Sequence, residues 1–283
     1  MKETVRIFPS GNRAGRFRKY ISFFRIRFIH GLQYRTAAYA GIATQFAWGT
    51  MRILLFRAFY QADPGAFPMD FQALSCYVWL EQAFLALFAP WSFDNDIFAM
   101  IRDGSIAYEL TRPVDLYSMW FTKNLAMRVS RAVLRCVPIL IVAAFLPAPY
   151  GMTLPADPVS FVMFLVTGVL GACVVVSFMM MIYIACFHTL NPQGIRIIAI
   201  SVTDILSGSV IPLPFLPDGL RMAVELTPFG YMMNLPLRVY SGDIAGGEML
   251  LGTALQVAWL AVMTVLGRLW MKQSLKKIVV HGG

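Results

Sequence analysis

The sequence predicts an all-α membrane protein. It reads as six transmembrane helices with an N-terminal interfacial helix, a cytoplasmic segment between spans two and three, and re-entrant outer helices before the last span. Three observations predict this. The chain is 58% hydrophobic and only 14% charged, where a soluble domain carries about 25% charged residues. Apolar stretches of spanning length recur along it, in keeping with a mean hydropathy of +0.63. Its Lys and Arg residues also gather in alternate connecting segments.

The first 35 residues hold nine Lys/Arg and one acid, Glu3. From Arg16 to Arg35, the residues Phe17, Tyr20, Ile21, Phe24, Phe28 and Leu32 recur every three or four positions, with basic residues between them. That period predicts an amphipathic helix on the membrane surface, starting near Gly15, with Arg16, Arg18, Lys19, Arg25 and Arg27 at anionic lipid. A disordered basic tail is the alternative. The basic stretch is too long for the start of a secretory leader, and no leader is expected.

Residues 36–92 hold spans one and two. The first, 36–60, exceeds the ~20 residues that cross a bilayer. Arg52 and Arg57 lie near its far end, placed to snorkel or to line an inner surface. The second, 71–91, is interrupted by Glu81. Residues 93–128 form the one long polar-amphipathic segment. Asp94 is a candidate N-cap, and Gly104 and Pro113 divide the segment into two short helices. Arg128, Arg131 and Arg135 follow on one face at the entry to span three, where they are expected to meet phosphate head groups.

Residues 129–212 hold spans three to five. Span three ends before Pro147 and span four covers 159–187. A turn over 191–194 leads to span five, which carries Asp204 and breaks near Ile211 ahead of Pro212, Pro214 and Pro217. Residues 213–245 read as short helices in the outer leaflet, where irregular backbone survives only under protein or water. Span six lies within 246–271, and 272–283 is a basic tail. Segments 1–35, 93–135, 188–196 and 268–283 carry nine, six, one and four Lys/Arg, all but four of the 24. With an even number of spans, the positive-inside rule puts both ends in the cytoplasm. The chain is one transmembrane domain without a visible 20–50-residue repeat.

Composition and motifs exclude several chemistries. A net charge of +9 fits basic residues retained on the inner face better than a nucleic-acid partner. Cys76, Cys136, Cys173 and Cys186 form no CxxC pair and lie in or beside apolar runs, as small hydrophobes do. Three scattered histidines and no HExxH argue against a metal site. No phosphate-binding GxxxxGK[ST] loop, Gly-x-Ser-x-Gly or paired-carboxylate site occurs. The acids Asp94, Asp96, Asp103, Glu109 and Asp115 read as a solvated or partner-facing surface. Glu81 and Asp204 differ, because an ionisable group within a span is costly. They are either buried polar contacts, to Arg52 or Arg57, or residues of a substrate path. The run Met179–Met181 reads as helix packing.

Two stretches resemble a known family. FRIRFIHGLQYRTAAYAGIATQFAWG (24–49) and GSIAYELTRPVDLYSMWF (104–121), above all Leu-Thr-Arg-Pro-Val-Asp at 110–115, resemble the type-2 ABC export permeases of the daunorubicin-resistance-type branch. The order of elements is similar to that family's over nearly the whole chain. The resemblance implies an ATP-driven exporter in the bacterial cytoplasmic membrane, with two permeases, identical or homologous, and two copies of a separate ATPase that carries ATP and Mg. This chain itself would hold no cofactor and would not be an enzyme. Residues 101–115 would be the coupling helix in a groove of the ATPase, with Asp103, Glu109 and Arg112 as contacts and Gly104 and Pro113 setting its shape. Glu81, Asp204, Arg52 and Arg57 would line or gate the path. The main rival is a stand-alone secondary transporter or channel with Glu81 and Asp204 as ion sites. Such carriers commonly show two-half symmetry, which is not visible here. An intramembrane enzyme lacks its nucleophile or metal set, and a scaffold leaves the intramembrane acids unexplained.

Overall fold

A computed structural model describes residues 13–33, 35–63, 65, 67–155, 157–189 and 192–276. The expected loop residue Pro64, the turn residue Asn191 and the end of the basic tail from Lys277 lie outside the described residues. So does the side chain of Arg16. The described residues form eleven α-helices and no strand: α1 (Arg13–Gly31), α2 (Arg35–Ala62), α3 (Phe71–Phe88), α4 (Asn95–Arg102), α5 (Ile106–Leu110), α6 (Leu116–Phe145), α7 (Pro158–Ala185), α8 (Pro192–Leu206), α9 (Asp218–Glu225), α10 (Asn234–Ser241) and α11 (Gly246–Leu275).

Aspartates start four of these helices. Asp70, Asp94, Asp115 and Asp157 each accept a hydrogen bond from a backbone N–H in the first turn of α3, α4, α6 and α7. Each satisfies a donor that no helix carbonyl can reach. Asp94 thus has the capping role expected of it. Gly104, at φ +73°, separates α4 from α5, a backbone conformation that a Cβ disfavours. Two short helices within the polar segment that precedes α6 (residues 93–115, the platform) are as expected.

Among the described residues, three helices are long and apolar enough to cross a membrane: Phe71–Phe88, Pro158–His188 (α7 with its closing 3-10 turn) and Gly246–Leu275. Helices α2 and α6, with 28 and 30 residues, have the length but carry several Arg and Lys. Two helix ends differ from the expected span ends. Helix α6 runs unbroken from Leu116, ahead of residue 129 where span three is expected to begin. Its first turns have Leu116, Tyr117, Met119 and Trp120 buried in the core, and that burial outweighs the polar residues of the segment. Helix α8 ends at Leu206, five residues before the expected break. Its 15 residues rise only about 22 Å at 1.5 Å each. A turn with Gly208 at φ +82° follows.

The core is built around α3, α6 and α7. Helix α3 packs on α2, α6 and α10, α1 lies along α6, and α7 packs on α10 and α11. Cys76, Tyr77, Trp120, Met179, Met180 and Tyr183 belong to the main cluster, so the Met run packs as expected. A second cluster joins α2 to α3 and α6 through Ile53, Phe56, Val78, Trp79 and Ile139. Outside, Trp48, Leu55, Val162, Val169, Leu251 and Leu269 are exposed. These are surfaces that lipid satisfies and water does not. Segment 213–245 folds as short helices, with Leu213, Pro214 and all but Arg238 and Ser241 of α10 buried.

Candidate functional site

Polar groups gather at several places among the described residues of this apolar molecule, including Arg238 with Glu225 and Asp243, and two of these places hold residues the sequence singled out. The first is a groove of about 540 Å³ between α2, α3 and the turn after α8. Gln45, Trp48, Arg52, Glu81, Gln82 and Val210 line it. Helix α2 approaches closely here because residue 49 is glycine: a Cβ there would lie 2.9 Å from the Trp79 ring. Glu81 is buried, and both its carboxylate oxygens accept from Arg52 Nη1 at 2.5 Å. Arg52 Nη2 donates to the Val210 carbonyl at 3.3 Å. One guanidinium therefore ties α2, α3 and the α8 turn together, and Glu81 has the partner that makes its burial tolerable. Two other expected members are elsewhere or unpaired. Arg57 stacks over the Tyr150 ring at 5.2 Å, outside the groove. Asp204 keeps a buried carboxylate oxygen without a hydrogen-bond partner. Gln45, unremarkable in the sequence, is buried with both side-chain polar atoms unpartnered. Its place four residues after Gly41 and four before Gly49, on a face of small residues, was the available signal.

The second place is the inner face of the platform. Asp94 pairs with Lys123 of α6 at 2.7 Å, and its backbone N–H donates to the Tyr183 hydroxyl at 2.7 Å. That hydroxyl donates to Asn124 Oδ1 at 3.1 Å. Arg196 of α8 lies 4.9 Å from both the Phe93 and Phe98 rings. The start of the platform is thus fastened to α6, α7 and α8 by a mostly buried polar lattice, an arrangement strengthened by the low local dielectric. Its sequence signal was slight: Lys123, Asn124 and Tyr183 are single polar residues within helical runs.

The outer face of the platform is open. Asp103 pairs with Arg102 at 3.0 Å and Glu109 with Arg112 at 3.4 Å, while Tyr108 is 77% exposed. Arg112 and Pro113 border a cavity of about 610 Å³ shared with Arg18, Lys19 and Tyr20 of α1. The Asp115 N–H donates to the Tyr20 hydroxyl at 3.2 Å, which secures α1 to the start of α6.

Of the residues expected at head groups, Arg18, Lys19 and Arg25 are exposed, and Arg27 lies half-buried over Phe23. Arg128 requires correction. It is fully buried and donates to the carbonyls of Leu87, Ala89 and Ser92 at 3.1, 2.8 and 3.1 Å. These are carbonyls at and beyond the C-terminus of α3, where partial negative charge collects and no amide donor remains. A cation capping this end fits better than one reaching for lipid.

A helical chain with apolar exterior helices, an internal ion pair and a polar platform has the features of a membrane transport protein. A family model described as ABC-2 family transporter protein matches residues 46–282, and the chain belongs to that family. It is therefore a transport subunit of the ABC type. The match begins inside α2, leaving α1 outside it. Searches of curated proteins and of solved structures return no match.

Proposed function

We propose that this chain is the permease of an ATP-driven exporter and works with a separate ATPase that supplies ATP and Mg. In this reading α2, α3, α6, α7, α8 with its following turn, and α11 make six crossings of the bacterial cytoplasmic membrane, with both termini cytoplasmic. The basic residues of α2 and α6 are compatible with crossing because several have internal partners: Arg52 with Glu81, Arg57 with Tyr150, and Arg128 with three carbonyls. Two permeases, identical or homologous, enclose the path, and two ATPases dock on the platforms. Segment 213–245 re-enters the outer leaflet, where burial of Leu213 and Pro214 gives its irregular backbone the cover it needs.

The observation that carries this reading is the polar lattice at Asp94. The outer side of 101–115 offers a partner Tyr108, Asp103 and Arg112, while the segment's start is locked to α6, α7 and α8. A push on the platform reaches those helices without passing through a flexible linker. ATP closure of the docked subunits then shifts the spans between states that differ in substrate affinity, as transport requires. Glu81 with Arg52, and Asp204 beside them in the sequence of path elements, line or gate the route.

A photocrosslinker at Tyr108 tests this reading. It should capture a nucleotide-binding protein in the native membrane, and the same probe at Leu154, on the loop at the other end of α6, should not. Equal capture from both sites, or none from Tyr108, removes the coupling role. The unpartnered oxygen of Asp204 favours one second reading, a stand-alone ion-coupled carrier. That reading requires transport driven by an ion gradient without ATP.

A further inference from the structure

A cavity of about 420 Å³ lies between α1, α2, α4 and α6, apart from the outer face of the platform and adjoining the groove at Arg135, which lines both. Its lining includes Arg27, Lys123, Arg131 and Arg135, with Asp94 and Asp96 as the acids. Both acids are engaged by Lys123, at 2.7 and 3.5 Å. Arg131 and Arg135 have no ion pair or hydrogen bond among the described residues, and Arg135 Nε is buried without a partner. Arg131 is near enough to Arg128 and Arg135 to repel both. Helix α6 therefore presents two guanidiniums without an ion pair to this cavity, and Arg27 adds a third from α1.

At the border of the cavity α1 meets α6 at a glycine, Gly31. A Cβ at Gly31 would lie 2.1 Å from Ser130 Oγ, so a larger residue would separate the helices at this point. Ile29 of α1 and Tyr39 of α2 are exposed apolar residues on the helices that frame it.

We infer that this cavity binds the phosphate of an anionic phospholipid head group. Planar guanidiniums suit a phosphate oxyanion through paired N–H donors, and an anion here would relieve the repulsion along α6. A lipid is favoured over free phosphate because the surrounding apolar surfaces of α1 and α2 offer a place for acyl chains. The inference requires only that the chain lies in a membrane. Its failure would leave ATPase coupling untouched, and failure of that coupling would leave this site in place.

The test is native mass spectrometry of the purified full chain with phosphatidylglycerol and phosphatidylcholine in competition. The wild type should retain phosphatidylglycerol preferentially. Arg131→Gln with Arg135→Gln should lower that preference about tenfold, the equivalent of ~1.4 kcal/mol. Lys272→Gln with Lys276→Gln, which removes the same charge from the exposed end of α11, should leave it unchanged. Arg131→Gln alone serves if the double variant does not fold, and should give a smaller loss in the same direction. Equal loss in the α11 variant would overturn the site in favour of general surface attraction, as would full retention in the α6 variants. Displacement of the lipid by millimolar inorganic phosphate, with no preference left between the two lipids, would overturn the head-group assignment in favour of a free anion.

Discussion

Replacing Arg128 by methionine isolates the correction made to its role. The substitution keeps a long apolar stem in the core and removes the guanidinium from the carbonyls of Leu87, Ala89 and Ser92. A hydrogen bond to a charged group contributes about 1.5–3 kcal/mol net. Two of the three bonds are only part-buried, so the lower end applies and the total comes to about 4.5 kcal/mol. At about 2–4 °C per kcal/mol for a chain of this order of size, Tm should fall by about 10 °C. Thermal unfolding followed by circular dichroism in nanodiscs measures this. Arg128→Lys should recover part of the loss, because an ammonium can reach one or two of the carbonyls. The loss should be equal in zwitterionic and anionic lipid. A Tm within about 2 °C of wild type, or a defect seen only in anionic lipid, would refute the capping role and return Arg128 to the head groups.

Other consequences follow from the same geometry. Glu81→Gln should destabilise the chain by about 2 kcal/mol, less than the 3–5 expected for a fully buried broken pair because Arg52 retains some exposure. A double-mutant cycle with Arg52→Met, read by thermal unfolding, should return a coupling of at least 1 kcal/mol. Gly171→Ala places a Cβ 2.2 Å from the Met232 carbonyl oxygen and should cost about 1–3 kcal/mol through overpacking. Gly168→Ala, one turn away with nothing within 4 Å, should be tolerated in the same assay. Tyr183→Phe leaves the Asp94 N–H and Asn124 Oδ1 without their shared hydroxyl, at about 1–3 kcal/mol. It should leave ATPase binding intact while lowering ATPase activity stimulated through the permease. Unchanged stimulation would take the lattice out of the coupling path.

Helix positions were largely legible from the sequence because apolar length and capping aspartates are local signals. The division of the platform at Gly104 and the short helices of 213–245 were legible for the same reason, since glycine and proline act on their own backbone. The start of α6 was not. Residues 116–128 are polar enough to read as platform, and only packing of Tyr117, Met119 and Trp120 against distant helices extends the helix backwards. The ion pair of Arg52 and Glu81 could be anticipated, because a carboxylate inside a span demands a cation and only two were near. Choosing between Arg52 and Arg57 needed the rotation of α2 about its axis. Arg128 misled because its spacing with Arg131 and Arg135 marks a shared helix face without saying what that face meets. Two of the three border a cavity, while the third caps a helix end contributed by residues some 40 positions earlier.

The central claim is that the platform receives a separate ATPase. The most direct measurement is isolation of the tagged chain from its native membrane, followed by an ATP-hydrolysis assay on what accompanies it. The account predicts a stoichiometric nucleotide-binding protein with measurable activity, lost when Glu109 and Arg112 are both changed to alanine although the permease remains helical and inserted. A chain that emerges alone under gentle nanodisc conditions, or an ATPase bound equally well by the altered platform, would contradict it.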